Sequence, residues 1–192
     1  MAIATKIANE TCVYIDTKSW EARRRFADVF YAFLREMKGR EVVVLCIGTN
    51  RAAGDSLGPL VGERLSEKVG AFAHVSVYGT LSATVHAKNL PLVMGHINGR
   101  HPGGVLVAVD ASLGKAESVG CLTVGKGGLL PGAGLQKNMP PVGDIHVTGI
   151  VNHAGSRDIS ALQNAHLGLV VKMADVLSDG MVSAFSKISS KM

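Results

Sequence analysis

Two aspartates stand at positions in this sequence where a pair of carboxyl groups could do chemistry. Asp55 follows an apolar run at 42–47 across a short polar loop, and Asp110 directly follows a second apolar run at 105–109. Unbroken apolar runs of this kind predict strands that are buried on both faces of a sheet. Because neighbouring parallel strands end at one edge of a sheet, we expect the two carboxyl groups to reach a common substrate.

Two neighbouring carboxyl groups raise each other's affinity for protons, so that one stays protonated while the other is ionised. A pair in this state can act as general acid and general base, or can activate a water molecule. The pair can also hold a hard divalent cation. The alternative interpretation is structural, because aspartates often cap helices or close turns. The spacing of Asp55 and Asp110 is compatible with each interpretation.

Other polar residues flank the same predicted edge of the sheet. Thr49 and Asn50 follow the first apolar run, where they could bind the backbone of a substrate or an anion. His153 comes just after a later predicted strand and could line the same cleft. His86 stands near the start of a predicted helix. A lone histidine in a loop is more often solvated or a helix cap, so both histidines keep a structural interpretation as well.

Strands and helices alternate along the chain, which predicts a protein of the α/β class. The hydrophobic patterns predict strands at 42–47, 74–78, 105–109, 121–124 and 145–151. They predict helices at 17–38, 56–65, 85–98 and 159–187. We therefore expect a single domain at 17–190, with three layers around a five-stranded, mostly parallel sheet. Residues 1–16 are expected to form an irregular arm that contains a short extended piece at 11–15.

One segment does not fit a regular element. Residues 125–143 are rich in glycine and proline, which predicts a long ordered loop. Loops of this length in a compact domain are usually functional. We therefore include this loop among the candidate parts of a binding cleft.

The composition narrows the class of protein. The chain has 192 residues and 47% of them are hydrophobic, so one domain can bury a sizeable core. The net charge is +5, but no phosphate-binding loop, zinc-finger spacing or aromatic RNA-binding signature accompanies it, and we expect no nucleic-acid partner. No apolar stretch reaches membrane-spanning length and the N-terminus lacks a secretory pattern, which predicts a cytoplasmic protein without a membrane partner.

Several strings of the sequence resemble a known family. GDSLGPLVG, YGTLSATVHAKNL, VDASLGKAESVG and LPGAGLQKNMPPVGDIHVTGIVN are similar to segments of the YyaC family of sporulation proteins. They also resemble the spore germination protease family and, more distantly, the hydrogenase-maturation endopeptidases. The resemblance covers residues 40–178 and implies a three-layer αβα sandwich with a mixed sheet, phosphorylase/hydrolase-like in its architecture.

The resemblance also implies roles for residues. The germination protease uses two aspartates, one in a D-A-L-G-P string and one in V-D-A, which match Asp55 in D-S-L-G-P and Asp110 in V-D-A here. It implies an aspartic-type endopeptidase whose cleft is lined by the glycine-rich loop, including Gly132 and Gly134. The maturation endopeptidases bind nickel with a histidine in that loop. This chain has no histidine there, so we expect neither a metal nor another cofactor.

Three functions remain open at this point. The first is a peptidase that acts on a protein substrate, such as small acid-soluble spore proteins, in the cytoplasm of the forespore or in the spore core. The second is a catalytically inactive homologue that binds a peptide or a sporulation partner. The third is a phosphate or nucleotide binder that uses the loop at 48–56 and the helix behind it. The long helices and the 18% charged residues are compatible with a homodimer.

Overall fold

A mixed sheet forms the centre of the protein in the computed structural model, which describes residues 4–7, 10–37, 41–131, 140–154 and 158–190. The sheet has seven strands among these residues, in the order β1-β2-β6-β7-β5-β3-β4. The strands are β1 (Ala4–Ile7), β2 (Glu10–Asp16), β3 (Val42–Cys46), β4 (Val75–Tyr78), β5 (Val105–Gly114), β6 (Cys121–Lys126) and β7 (Ile145–His153).

The sheet divides into a parallel half and an antiparallel half. Strands β4, β3, β5 and β7 run parallel to one another. Strand β6 pairs antiparallel with β7, and β2 and β1 continue that antiparallel half. The prediction of an α/β fold with a mixed sheet is therefore confirmed.

Helices cover both faces of the sheet. They are α1 (Ala22–Glu36), α2 (Leu57–Ser66), α3 (Leu90–Arg100), α4 (Asp158–Gln163) and α5 (Leu167–Ser189). On the first face, α1 and α2 each pack against α5 over a core that includes Val44, Val107 and Val147. On the second face, Leu90 and Ile97 of α3 join a smaller core with strand residues such as Leu45 and Ala108. This arrangement has the three predicted layers.

The predicted irregular arm at 1–16 is wrong in its described part, except that the expected extended piece at 11–15 lies within a strand. Residues Ala4–Ile7 and Glu10–Asp16 form strands, and β2 pairs antiparallel with β6 from Cys12 to Asp16. Ile15 is 1% exposed and belongs to the core of the first face. Strand β2 pairs with β1 on one side and with β6 on the other, and the β6 residues lie more than a hundred positions away, so the place of β2 inside the sheet has no local signal. The sheet consequently has seven described strands where five were predicted.

Helix boundaries differ where side chains stabilise a turn. Helix α1 begins at Ala22, since the buried Thr17 donates a hydrogen bond from Oγ1 to the carbonyl oxygen of Gly120 at 2.6 Å and anchors the preceding turn. Helix α3 was predicted to begin at residue 85, but Val85 forms a β-bridge with Ile47 and is therefore not helical. The helix begins at Leu90. The last predicted helix is two helices, α4 and α5.

Candidate active site

Asp55 lies in a short 3-10 turn, Gly54–Ser56, that joins β3 to α2. The amide of Thr49 donates a hydrogen bond to the main-chain oxygen of Asp55 at 3.0 Å, which closes the loop between them. Gly48 has a φ of 143°. A Cβ at that glycine would lie 2.0 Å from the same Asp55 oxygen, so only glycine permits this close approach. The loop therefore holds Asp55 at the carboxyl end of β3.

Asp110 lies inside a strand, which corrects the prediction that the strand ends at Val109. Strand β5 continues to Gly114 because β7 pairs with it along this length, with Asp110 opposite Thr148. The Asp110 side chain accepts a hydrogen bond from the amide of Ala111 at 2.7 Å, and the residue is 8% exposed. Residues alternate between the faces of a strand, so Asp110 shares the second face of the sheet with Ala108.

Backbone contacts bring the neighbourhoods of the two aspartates together. The amide of Ile47 donates to the carbonyl oxygen of Val109 at 2.7 Å, so the end of β3 lies level with the middle of β5. Cα atoms of the Asp55 turn come within 8 Å of Cα atoms in β5. Asp55 thus lies just beyond the end of β3, and Asp110 lies on β5 beside that end. The two aspartates belong to neighbouring segments of the structure. Their catalytic roles stay a prediction.

The environment of Asp55 favours its protonated form. Burial raises the pKa of the Asp55 carboxyl group, while a hydrogen bond from the backbone of Thr49 and the charge of His86 act in the opposite direction. The net result is a raised pKa. A carboxyl group with a raised pKa can hold a proton closer to neutral pH, which is what a general acid requires.

His86 is brought to Asp55 by the bridge between β3 and the segment before α3. The amide of Gly48 donates to the carbonyl oxygen of Val85 at 2.8 Å, so His86 follows directly after a residue bonded to the Asp55 loop. The sequence offered His86 only as a weak candidate, because a lone histidine near a helix start is more often solvated or a cap. The amide of His86 does donate to Asn89 Oδ1 at 2.8 Å. Its side chain nonetheless acts on the charge of Asp55.

Thr49 and Asn50 have structural contacts in this loop. Thr49 Oγ1 accepts a hydrogen bond from the amide of Arg51 at 3.2 Å. Asn50 Nδ2 donates to the carbonyl oxygen of Leu81 at 3.1 Å, and this bond ties the Asp55 loop to the segment that precedes α3. Both side chains shape the loop, and their contact with a substrate remains a prediction.

The structure does not bring His153 to the aspartates. His153 is exposed at the end of β7 and stands opposite Gly114, four residues beyond Asp110 along β5. At a rise of about 3.3 Å per residue, this corresponds to about 13 Å along the strand. His153 Nδ1 contacts the side-chain oxygen of Asn152 at 3.1 Å. The other two candidates, Gly132 and Gly134, lie outside the described residues.

A groove opens on the second face of the sheet, in the region of β5 that carries Asp110. Its volume is about 870 Å³. Side chains of Tyr14, Thr123, Thr148, Ser112 and His146 line it together with Gly128 and Leu129 from the glycine-rich loop. Leu129 and Val142 exchange two backbone hydrogen bonds, at 3.0 and 2.8 Å, which fix the described ends of that loop beside the groove.

Two further properties concern the described part of the chain. Within it, no group of three or more His, Cys, Asp or Glu side chains is placed to hold a metal ion. The same residues include no helix with the length and apolar character needed to cross a membrane.

The family model described as "Protein of unknown function (DUF1256)" matches residues 14–180, which is most of the chain. The chain belongs to the DUF1256 family. A relative in this family is the "Uncharacterized protein YyaC" of Bacillus subtilis (strain 168), which is 44% identical over 168 residues, covering 88% of this chain and 81% of the relative. The YyaC part of the predicted resemblance is therefore confirmed.

The fold of this DUF1256 protein has a solved counterpart. The [NiFe] hydrogenase maturation protease HycI from Thermococcus kodakarensis KOD1 superposes with a TM-score of 0.50, covering 80% of this chain and 99% of HycI. The two sequences are 17% identical, so the similarity shows a shared fold. The relation to the germination protease stays a prediction.

Proposed function

We propose that this DUF1256 protein is a peptidase that hydrolyses a peptide bond in a protein substrate with Asp55 and Asp110. The observation that carries the proposal is the packing of the Asp55 turn against β5, the strand that contains Asp110. The groove beside Asp110 is large enough to hold a segment of polypeptide. The fold shared with a maturation protease supports the same reaction class.

In this mechanism the two carboxyl groups share one proton. Asp55 is the protonated member, because burial raises its pKa, and it donates its proton toward the scissile amide. Asp110 is the ionised member and removes a proton from a water molecule, whose oxygen attacks the carbonyl carbon. The tetrahedral intermediate then breaks its C–N bond: the nitrogen receives the proton that Asp110 took from the water and leaves as an amine, and the oxygen of the former carbonyl returns its proton to Asp55. One water is consumed, and the products are a carboxylic acid and an amine.

The proposed substrate class is a spore protein, and small acid-soluble spore proteins are the first candidates. The support is the similarity of the D-S-L-G-P and V-D-A strings to the germination protease family. This assignment places the reaction in the forespore or in the spore core. A chain whose described residues contain no membrane-crossing helix is compatible with that setting.

The direct test is to incubate the purified protein with small acid-soluble spore proteins and to identify fragments by mass spectrometry. Asp55→Asn and Asp110→Asn should each lower the rate by about 100-fold or more, since each removes a proton-transfer group. Asp28→Asn is the matched control, because Asp28 lies on α1 and pairs with Lys187 on the first face of the sheet. Cleavage at the wild-type rate by either site variant would contradict the mechanism.

A second candidate function is binding without catalysis. It is favoured by the burial of Asp110 and by its hydrogen bond from the Ala111 amide, since both features also suit a structural carboxyl group. A catalytically inactive homologue would bind a peptide or a sporulation partner and would leave every candidate substrate intact. Saturable binding with no fragment detected would select this function.

A further inference from the structure

A row of four polar residues crosses the second face of the sheet and ends at Asp110. Tyr14 on β2 stands opposite Thr123 on β6. Thr123 stands opposite Thr148 on β7, and Thr148 stands opposite Asp110 on β5. Residues opposite each other on neighbouring strands point to the same face, so these four form one continuous row.

Hydrogen bonds join the two threonines of this row to each other and to Ser112 beside it. The oxygens of Thr123 and Thr148 lie 2.7 Å apart, and Ser112 Oγ donates to Thr148 Oγ1 at 3.2 Å. The same strands present Leu122, Val124 and Val147 to the first face, where helices cover them. Strands β6 and β7 thus place their threonines on the face that carries the groove, which packing alone does not require.

The dimensions of the groove suit one kind of ligand. From β2 to β5 the row crosses three inter-strand gaps of about 4.8 Å, or about 14 Å in total. An extended peptide rises about 3.3 Å per residue, so about four residues would span the row. Most of the groove lining is apolar, and its charged residues, Asp16, Lys115 and Glu117, nearly balance.

We propose that the groove binds the substrate as an extended segment of about four residues with uncharged side chains, laid along the row from Tyr14 toward Asp110. This inference rests on the proposed function. The hydroxyl groups of Thr148 and Ser112 both donate and accept hydrogen bonds, so they match the N–H and C=O groups of a peptide backbone. A charged side chain laid over the row would lose hydration there, since the charged residues of the groove, Asp16, Lys115 and Glu117, are not members of the row.

The test measures binding separately from turnover. The protein carries Asp55→Asn, which lies outside the row and removes the proposed proton donor. The probes are N-acetylated, C-amidated tetrapeptides of alanine and leucine, and the same peptides with one central lysine or glutamate. Calorimetric titration measures affinity, and methyl NMR of Thr123, Thr148 and Ile150 reports the location.

The uncharged peptides should bind saturably, shift these methyl signals, and bind at least about 10-fold more tightly than the charged peptides. Thr148→Val and Ser112→Ala should each weaken binding by about 5-fold or more, because each removes a hydroxyl partner. Ser183→Ala is the control, since its hydroxyl bonds to the Asp179 carbonyl within α5. It should leave the affinity unchanged.

Two results would overturn the inference. One is that Thr148→Val and Ser112→Ala bind the uncharged peptides as tightly as the parent protein, and the other is that charged peptides bind equally well. The outcome is separable from the proposed function. If the groove binds the peptides but the wild-type protein cleaves none of them, the peptidase proposal fails and the binding site stands. Cleavage with a KM that Thr148→Val leaves unchanged would support the peptidase and would rule out the groove as its binding site.

Discussion

Glu41 and His101 are joined across the junction between β3 and α3, with Glu41 Oε1 at 2.9 Å from His101 Nδ1. Glu41 directly precedes β3, and His101 ends α3. The other ring nitrogen of His101 contacts the hydroxyl of Tyr78 on β4 at 2.8 Å. The histidine therefore connects the edge of the sheet to the helix that covers its second face.

This contact predicts a stability change at acid pH. The hydrogen bond from His101 is the largest cause of the lowered pKa of Glu41, so Glu41 stabilises the fold above its unfolded pKa and loses that contribution as pH falls through its folded pKa. The Glu41 side chain is 38% exposed, and we expect Glu41→Gln to cost less than about 1 kcal/mol at pH 7. Urea unfolding of wild type and variant should converge at pH values below the folded pKa of Glu41, whereas Glu67→Gln, at the end of α2, should have no effect at pH 7.

The second prediction concerns the proton affinity of Asp55. His86 lowers the pKa of the Asp55 carboxyl group, so His86→Ala should raise that pKa further above its ordinary value. A carbon-detected NMR titration of Asp55 measures the shift directly. His153→Ala is the control because that residue is exposed and stands far along β7. An Asp55 titration that is the same in all three proteins would disprove the role assigned to His86.

The third prediction tests the close packing of α2 on the end of β3. A Cβ at Gly58 would lie 2.0 Å from the main-chain oxygen of Ile47, and Gly58→Ala should therefore destabilise the protein by about 2 kcal/mol or more. Gly95 lies in α3, where an added methyl group would meet no neighbouring group within 4 Å, so Gly95→Ala should stabilise the protein by about 0.5–1 kcal/mol. We therefore expect the two variants to change the free energy of unfolding, measured with urea, in opposite directions. A Gly58→Ala variant with the stability of wild type would be inconsistent with this packing.

The fourth prediction tests whether β2 belongs to the core. Ile15 is 1% exposed, so Ile15→Ala should lower the free energy of unfolding by about 2–4 kcal/mol. Lys18→Ala, in the exposed turn that follows, should change it by less than about 0.5 kcal/mol. If both variants unfold with the same midpoint as wild type, the N-terminal strand contributes nothing to stability.

The elements best predicted from the sequence are those with a complete local pattern. Strand β3, the loop after it and helix α2 follow one another within 42–66, so the apolar run, the glycines and the helical spacing are all visible together. The end of β5 was misplaced because the extension past Val109 depends on pairing with β7. A strand whose partner is distant in sequence carries no local signal of its length.

In the candidate site, too, the residues with a local sequence pattern were predictable and those that depend on distant pairing were not. Asp55 could be placed from its own loop, whereas His86 reaches it through the bridge between Val85 and Ile47, which no spacing rule contains. The row from Tyr14 to Asp110 is still less visible, because its four members come from four strands and meet only through their register. Isolated threonines and tyrosines are common, and their alignment becomes apparent only in three dimensions.

The pairing of β2 with β6 has a consequence for synthesis of the chain. The first strands leave the ribosome long before residues 121–126 exist, so the edge of β2 that pairs with β6 stays exposed to solvent until then, while its other edge can pair with β1. Closure of the antiparallel half of the sheet is therefore a late event in folding, and nascent chains that stall before β6 should be the ones that chaperones retain.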